Sequence, residues 1–427
     1  MTIYPDDNED IDILIRHADQ AMYQAKLAGK HRYQTFDSYH DKQLIQKHHK
    51  LDEIQQALNN NEFTLYYQPK VNMVTGKVFG VEALIRWFHP DKGIIPPLAF
   101  LPLIDGTDME LQVGDWVIKQ ALEQMADWLN QDIKLEVSVN IASHHLLSEF
   151  FFENLKTALA QYPAVDPQYL QLEILESSAL SDLHTIGQII TRCQDTLGVN
   201  VALDDFGTGY SSLTHLRNLT ANTIKIDQSF IRDMLDDPND YTIVDGVLGL
   251  ADAFGRDVIA EGVEATNHGL MLIIMGCKQA QGYGIAKPMP ADQFPNWLAH
   301  YTPNQQWLAC GNKDMTKKQK KIKLFKLISE HWKNTFTLKT QSSPEDNQHW
   351  PIMSEQHDPC GQWIKRAYKE GLFDQEDIQH LEYTHKNVHR IAHVIQGKYQ
   401  EGDIDAAKNE LALLQSAFDK MNHTLPE

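Results

Sequence analysis

NVALDDFGTGYSSL, residues 200–213, is the stretch whose reading decides the fold. A short apolar run closes on two adjacent carboxylates, Asp204 and Asp205, and then on a turn led by Gly207 and Gly209. That is the form of a buried strand whose C-terminal end carries chemistry. The form recurs on both sides of it: FTLYYQP (63–69), VFGVEALIRW (78–87), LEVSVNI (135–141), LQLEIL (170–175), TIKID (223–227), DVIAEGV (257–263) and KQAQGYG (278–284). Longer amphipathic segments separate them. Eight strand-like runs alternating with helical stretches predict an α/β fold, a TIM-type (β/α)8 barrel. KQAQGYG is the most polar run and joins the set only through the count.

Most of these runs carry an acid, an amide or an amine near the C-terminal end: Glu82, Asn140, Glu173, Asp204, Asp205, Lys225, Asp227, Glu261, Glu264 and Gln281. The strand ends of a barrel converge on one mouth, where this architecture places its chemistry. A charge there is costly unless it is paired or metal-bound. Asp204 and Asp205 repel each other, and a cation on each relieves the repulsion. Oxygen and amide donors without Cys or His suit Mg2+ or Mn2+ better than Zn2+. One acidic strand end alone is more often a helix cap or a surface turn, and Asp205 also fits as the cap of the turn at Gly207 and Gly209. Repetition around one barrel favours a metal-holding mouth.

Composition narrows the classes. The 427 residues suggest two or three domains, and 42% hydrophobic with 22% charged residues is a globular composition. Lys and Arg number 38 against 58 Asp and Glu, a net charge of −20, which excludes a nucleic-acid polymer as the natural partner. A small phosphate-bearing ligand stays compatible if metal ions lie between it and the acids. No apolar run approaches the ~20 residues of a membrane-spanning helix. MTIYPDDNED at the N-terminus lacks the basic start of a signal peptide. Four scattered cysteines form no disulfide framework, so the expected location is cytoplasmic.

The flanks differ from the barrel. Ile11, Leu14, Ile15, Ala18, Met22 and Ala25 mark a helix that Gly29 ends, and RYQTF (32–36) alternates like a strand. Residues 41–60 read as a linker helix with Leu44, Leu51 and Leu58 seven apart. After Pro290 the alternation stops. KDMTKKQKKIKLFK (313–326) reads as a solvated helix start. Leu381, Val388, Ile391 and Ile395 mark one later helix, and Leu411, Leu414, Phe418 and Met421 another. Eight of the 20 histidines fall in the last 97 residues. His385 and His389, at i and i+4, share a helical face. With His331 and Cys360 they would close a tetrahedral site, although paired helix histidines are also common on plain surfaces.

Three resemblances sharpen this reading. Residues 50–300 resemble EAL-domain cyclic di-GMP phosphodiesterases through YYQPK, EALIRW, SVNIA, EILE, DDFGTGYSSL, IKID, AEGVE and QGY in order. The resemblance implies a barrel with one antiparallel strand, a homodimer formed beside the DDFGTG loop, and two Mg2+ or Mn2+ ions. It implies Glu82, Asn140, Glu173, Asp204, Asp205 and Asp227 as metal ligands. Lys225 would hold the attacking water, with Glu82 and Glu261 also catalytic. Gln68, Leu84, Arg86 and Gln281 would meet the substrate. Glu264 and the loop from Phe206 and Gly207 to Ser212 would position Asp205. IDILIRHADQAMYQAKLAGKHRYQTFD (11–37) resembles the end of a GGDEF (diguanylate cyclase) domain, read as a remnant over 1–40 since no GGDEF motif or nucleotide loop is present.

HW (331–332), CGQWI (360–364) and HKNVH (385–389) resemble the CZB (chemoreceptor zinc-binding) domain, a four-helix bundle. That likeness implies Zn2+ on His331, Cys360, His385 and His389. A strict alignment instead puts Asp358 at the Cys position, and His357 and His393 are further candidates. The expected domains are thus 1–40, a linker over 41–60, the barrel over 61–305 and the zinc-binding bundle over 306–427. The implied function is hydrolysis of cyclic di-GMP to linear pGpG, regulated by the bundle. The alternatives are a non-catalytic cyclic di-GMP receptor or scaffold, and a barrel enzyme acting on another phosphodiester.

Overall fold

The computed structural model describes residues 10–27, 38–179, 182–208, 219–343, 346, 348–371 and 373–425. RYQTF and Ser212 lie outside the described residues. The chain divides into two units, Met1–Thr64 with Ile85–Val113, and Leu65–Leu84 with Gly114–Glu427. The first holds the helices Ile11–Leu27 and Ser38–Asn59, so both helices expected there are present. Its core gathers Phe63, Trp87 and Phe100, with ring centroids 5.4–5.7 Å apart. The Trp87 indole N–H donates to Glu62 Oε2 at 3.0 Å.

All eight expected runs form strands: β1 (Phe63–Asn72), β2 (Lys77–His89), β4 (Glu136–Asn140), β5 (Leu170–Leu175), β6 (Asn200–Phe206), β7 (Thr223–Ile226), β8 (Asp257–Ala260) and β9 (Gln279–Gln281). Two short strands come in addition, β3 (Gly93–Ile95) and β10 (Met289–Pro290). At three and two residues they are too short to leave a periodic signal. The sheet runs β10-β1-β9-β8-β7-β6-β5-β4-β2-β3, and a β1–β2 pairing closes it into an eight-stranded barrel. β1 is antiparallel to β9, with Lys70 opposite Gln281. The neighbours from β2 through β4, β5, β6, β7 and β8 to β9 are parallel. Strands of a parallel barrel are covered on both faces, which is why Val201, Ala202 and Leu203 are all buried rather than alternating.

Aromatic side chains anchor the helical ring to the barrel. Trp128 is buried against Tyr67 of β1 and against Phe294, at 4.7 and 4.9 Å between centroids. Trp307 donates to the Thr266 carbonyl at 2.8 Å and lies where a Cβ on Gly269 would stand, 2.3 Å from its ring.

The C-terminal residues form a helical bundle. Its helices include Lys317–Gln341, Pro359–Glu370, Gln375–Gln400 and Leu411–Asn422. Thr316 starts the first with a capping box to Gln319. The lysine run is its opening turns: Lys317 and Lys321 pair with Glu370, at 3.8 and 3.0 Å. Leu381, Val388 and Ile395 point into the bundle with Leu414, Phe418 and Met421. No helix among the described residues is long and apolar enough to cross a membrane.

Trp128→Ala should destabilise the barrel by about 3–5 kcal/mol, the usual cost of emptying a large aromatic site. Urea unfolding measures it; a loss below about 1 kcal/mol would show that the ring is not part of the core.

Candidate active site

Parallel strands that share one direction bring their C-terminal side chains to one end. Asn140 stands beside Glu173 in the β4–β5 register, and Leu175 beside Asp204 in β5–β6. At the centre of that end lies Lys225, fully buried. Its ammonium is 2.6 Å from Glu261, 2.7 Å from Glu173, 3.1 Å from Asp204 and 3.4 Å from Glu82. Burial opposes the lysine charge, but the four carboxylates together hold its pKa well above the ordinary value.

One ammonium against four carboxylates leaves the cluster short of positive charge. Glu82 stays ionised: burial pushes its pKa up, yet Lys225 and hydrogen bonds from Gln281 and Asn140, with Lys70 behind, bring it below the usual range. Asn140 Nδ2 donates to Glu82 Oε1 at 2.8 Å, and Gln281 Nε2 to Glu82 Oε2 at 2.6 Å. Gln281 also donates to Gln68 Oε1 at 2.9 Å. Glu173 and Glu261 go the other way. Burial, then neighbouring carboxylates, pushes both up against the pull of Lys225, Glu173 to about 8. Asp205 is pushed up to about 7 by burial, by Asp204 and by a hydrogen bond to Asp227.

Adjacent residues of a regular strand face opposite ways. Asp204 and Asp205 nevertheless reach the same site, because the β6–β7 register shifts between Leu203 and Phe206 and Asp205 adopts φ +53°. Such an irregularity re-aims a side chain next to a functional site. Two triads of donor atoms result, each within 4.8 Å of one another: Glu82, Glu173 and Asp204, and Asp204, Asp205 and Glu261. Asp204 belongs to both. Among the described residues, Glu173 Oε1 is buried without a hydrogen-bond partner, an oxygen that a cation would satisfy. The donor set therefore fits two hard divalent ions sharing one carboxylate.

Other expected residues take different places. Asp227 caps the helix Gln228–Asp233 through the Ser229 N–H and lies outside both triads. Gln68 is buried and donates to the Ala286 carbonyl at 3.0 Å. Leu84 and Arg86 follow Glu82 at two-residue steps along β2, and Arg86 donates to the Ile85 carbonyl at 2.8 Å. Phe206 is buried, and Gly207 needs its φ of +103°. Glu264 is exposed and uses its backbone N–H on His268 at 3.4 Å. Among the described residues, Glu176 grips the start of the turn, accepting the Gly207 N–H at 3.0 Å. Glu176 is the last residue of the EILE motif, and its place directly after the strand was the available signal.

In the bundle, the structure joins His385 and His389 to Asp358 rather than to Cys360 and His331. His385 Nε2 lies 3.1 Å from Asp358 Oδ2 and 3.1 Å from His389 Nε2. All three are buried. Asp358 caps the helix Pro359–Glu370, with Oδ1 accepting the Gly361 N–H at 2.8 Å while Oδ2 faces the histidines. Cys360, two residues on, is buried elsewhere on the turn, and burial beside Asp358 holds its thiol well above the usual pKa. His331 meets Asp236 at 3.0 Å. His357 contacts Ser354, and His393 is exposed.

The family model described as the EAL domain matches residues 51–288, more than half of the chain. The protein belongs to the EAL domain family. It is 36% identical over 295 residues to the bifunctional diguanylate cyclase/cyclic di-GMP phosphodiesterase MucR of Pseudomonas aeruginosa, covering 69% of this chain and 43% of MucR. It is 35% identical over 302 residues to the cyclic di-GMP phosphodiesterase PdeR of Escherichia coli, covering 70% and 45%. The chain thus spans less than half the length of these curated relatives. The solved c-di-GMP complex of the PaMucR phosphodiesterase superposes with a TM-score of 0.55 at 36% identity, over 58% of this chain and 99% of that one. The EAL enzyme Bd1971, with cAMP and cyclic di-GMP bound, gives 0.58 at 28%, over 68% and 77%.

Raised carboxyl pKa values give a pH test. Without divalent ions, protonated Asp205 favours the folded chain. That contribution is complete below the ordinary value of 3.8 and is lost as pH rises through about 7. Glu173 and Glu261 act in the same direction, while Glu82 and Asp227, held low, act only near the acid end. The metal-free protein should therefore melt at lower temperature at pH about 8 than at pH about 5.5, and saturating Mg2+ or Mn2+ should shrink the difference. Equal pH slopes with and without metal would contradict the cluster described.

Proposed function

We propose that this chain hydrolyses cyclic di-GMP to linear pGpG, with two Mg2+ or Mn2+ ions held in the barrel mouth. The observation that carries this is the pair of carboxylate triads sharing Asp204, with Glu173 Oε1, which has no hydrogen-bond partner among the described residues, in one of them. Glu82, Asn140, Glu173 and Asp204 are assigned to one ion, and Asp204, Asp205 and Glu261, with Asp227 beside them, to the other. When bound, two such ions would supply the charge that activates a water for attack and neutralises the reacting phosphate oxygens. Lys225 holds a permanent positive charge among the carboxylates, placed to orient the nucleophile and to offset charge on the phosphate. Glu261, partly exposed and 2.6 Å from the lysine, is the carboxylate placed to accept a proton. Gln281 and Asn140 fix Glu82. Gln68, Leu84 and Arg86 are assigned to the substrate by family likeness, Arg86 to a phosphate or guanine edge. A homodimer through the barrel beside the loop 206–212 and a cytoplasmic location belong to the same reading.

The domain organisation proposed is a GGDEF remnant over 1–40, a linker over 41–60, the barrel over 61–305 and a CZB-like bundle over 306–427. For the bundle we assign Zn2+ to Asp358, His385 and His389. Carboxylate and imidazole are both zinc donors, and the three groups already converge. This site would regulate the barrel through the helix Pro359–Glu370, whose first turn is set by Asp358. Arg366 on that helix lies over the Tyr241 ring at 5.1 Å and bonds Thr242 on the helix Pro238–Ala253.

Two experiments test these assignments. Purified protein given cyclic di-GMP with Mn2+ should release pGpG, and Glu82→Ala should cut turnover by more than the ~10–100-fold of an outer-shell loss. Binding without product would favour a receptor; wild-type turnover in Glu82→Ala would remove the metal assignment. In the bundle, Asp358→Ala should lose bound zinc by elemental analysis while Cys360→Ser keeps it. The reverse pattern would restore the thiolate.

A further inference from the structure

Beneath the carboxylates lies a second polar layer that the reaction above does not use. Ser138, Gln171 and Thr223 each stand two residues before Asn140, Glu173 and Lys225 on β4, β5 and β7. Residues two apart on a strand share a face, so these three sit directly under the three above. β1 runs the opposite way, and Lys70, two residues after Gln68, brings its ammonium to the same lower level, against Ser138 and Gln171. Barrel interiors are usually filled here by branched aliphatic side chains.

Lys70 is fully buried. Its ammonium reaches Ser138 Oγ at 2.5 Å, Glu136 Oε1 at 2.8 Å and Gln171 Oε1 at 3.2 Å. Ser138 Oγ donates to Gln171 Oε1 at 2.7 Å, and Gln171 Nε2 to Thr223 Oγ1 at 3.3 Å. One connected network thus spans β1, β4, β5 and β7. Gly80, two residues before Glu82, makes room for it: a Cβ there would stand 3.0 Å from Lys70 Cε and 2.9 Å from the Glu136 carbonyl. A buried ammonium is expensive, and apolar replacement of such a pair is often neutral or stabilising. Stability alone therefore does not account for this layer.

We infer that Lys70 is a positioning residue for the metal-holding layer: it pins the strands at fixed spacing one step below the donor side chains they carry. Glu136 offsets its charge at close range, and the role inferred for it is the geometric one, beside the pull its charge also exerts on Glu82 and Glu173. Without the ammonium, Ser138 and Gln171 lose their common partner, and Asn140 and Glu173 lose a fixed separation. The inference rests on reading the upper layer as a two-ion phosphodiesterase site.

The test uses the full chain stripped of metal. Lys70→Met keeps the length of the side chain and removes its donors. Lys70→Met/Glu136→Met also removes the stranded carboxylate and serves if the single variant folds poorly. Thr223→Val cuts only the far end of the network. Calorimetric titration with Mn2+, well below each variant's melting temperature, should show affinity weakened about 10–100-fold for the two Lys70 variants and less for Thr223→Val. Turnover should fall in kcat more than it changes KM. A lowered melting temperature with wild-type Mn2+ affinity and kcat would make the layer merely structural and overturn the inference. Tighter Mn2+ binding would overturn it too, since that is the signature of a charge without a positioning role. If the wild-type chain itself neither binds Mn2+ nor yields pGpG, the functional reading fails instead.

Discussion

The Lys225 ammonium, sealed in the barrel among Glu82, Glu173, Asp204 and Glu261, is the interaction on which the rest of this structure depends. Four carboxylates would not share so small a buried volume without a compensating charge, since desolvation alone would neutralise them. A single lysine does not balance them. Glu173, Glu261 and Asp205 are accordingly pushed toward their protonated forms, while Glu82, held by two amides and the lysine, stays charged. An arrangement with its negative charge only partly answered is suited to divalent cations, which displace protons that the site holds weakly.

That demand shapes the backbone around it. The shifted register and positive φ at Asp205 cost strand regularity and bring two adjacent carboxylates to one place. Glu176 holds the turn that follows by its Gly207 N–H. One layer down, the Lys70 network replaces aliphatic filling with hydrogen bonds across four strands. The mouth of this barrel is thus supported by polar structure from below as well as by packing from the helices outside.

The bundle follows a similar economy with different donors. Asp358 serves one helix as its cap and two histidines as their acceptor, using one carboxylate oxygen for each. A thiol two residues further along cannot do both, because a step of two residues turns about 200° around the helix. The same helix carries Arg366 to the barrel, and His331, free of the cluster, pairs with Asp236 of the barrel instead. Two residues at the barrel–bundle contact therefore have roles that spacing in the tail did not reveal.

Local pattern determined much of this protein. Seven of the eight strands followed from apolar runs of strand length and the eighth, in KQAQGYG, from the count, and the carboxylates, amides and lysine at their ends followed from their position in those runs. Those are properties of a few consecutive residues, and the order of such runs around a closed sheet fixes which ends meet. Only the tertiary structure decided what depends on angles and on distant partners. It set the kink that turns Asp205 inward, the hold of Glu176 on the Gly207 N–H, and the preference of His385 for Asp358. Lys70 shows the difference most plainly: in sequence it is one more residue of YYQPK, and only because β1 runs antiparallel does it fall beneath residues from three other strands. A spacing of two along a strand is written in the sequence, but which strand lies opposite, and in which direction, is set by the closure of the barrel.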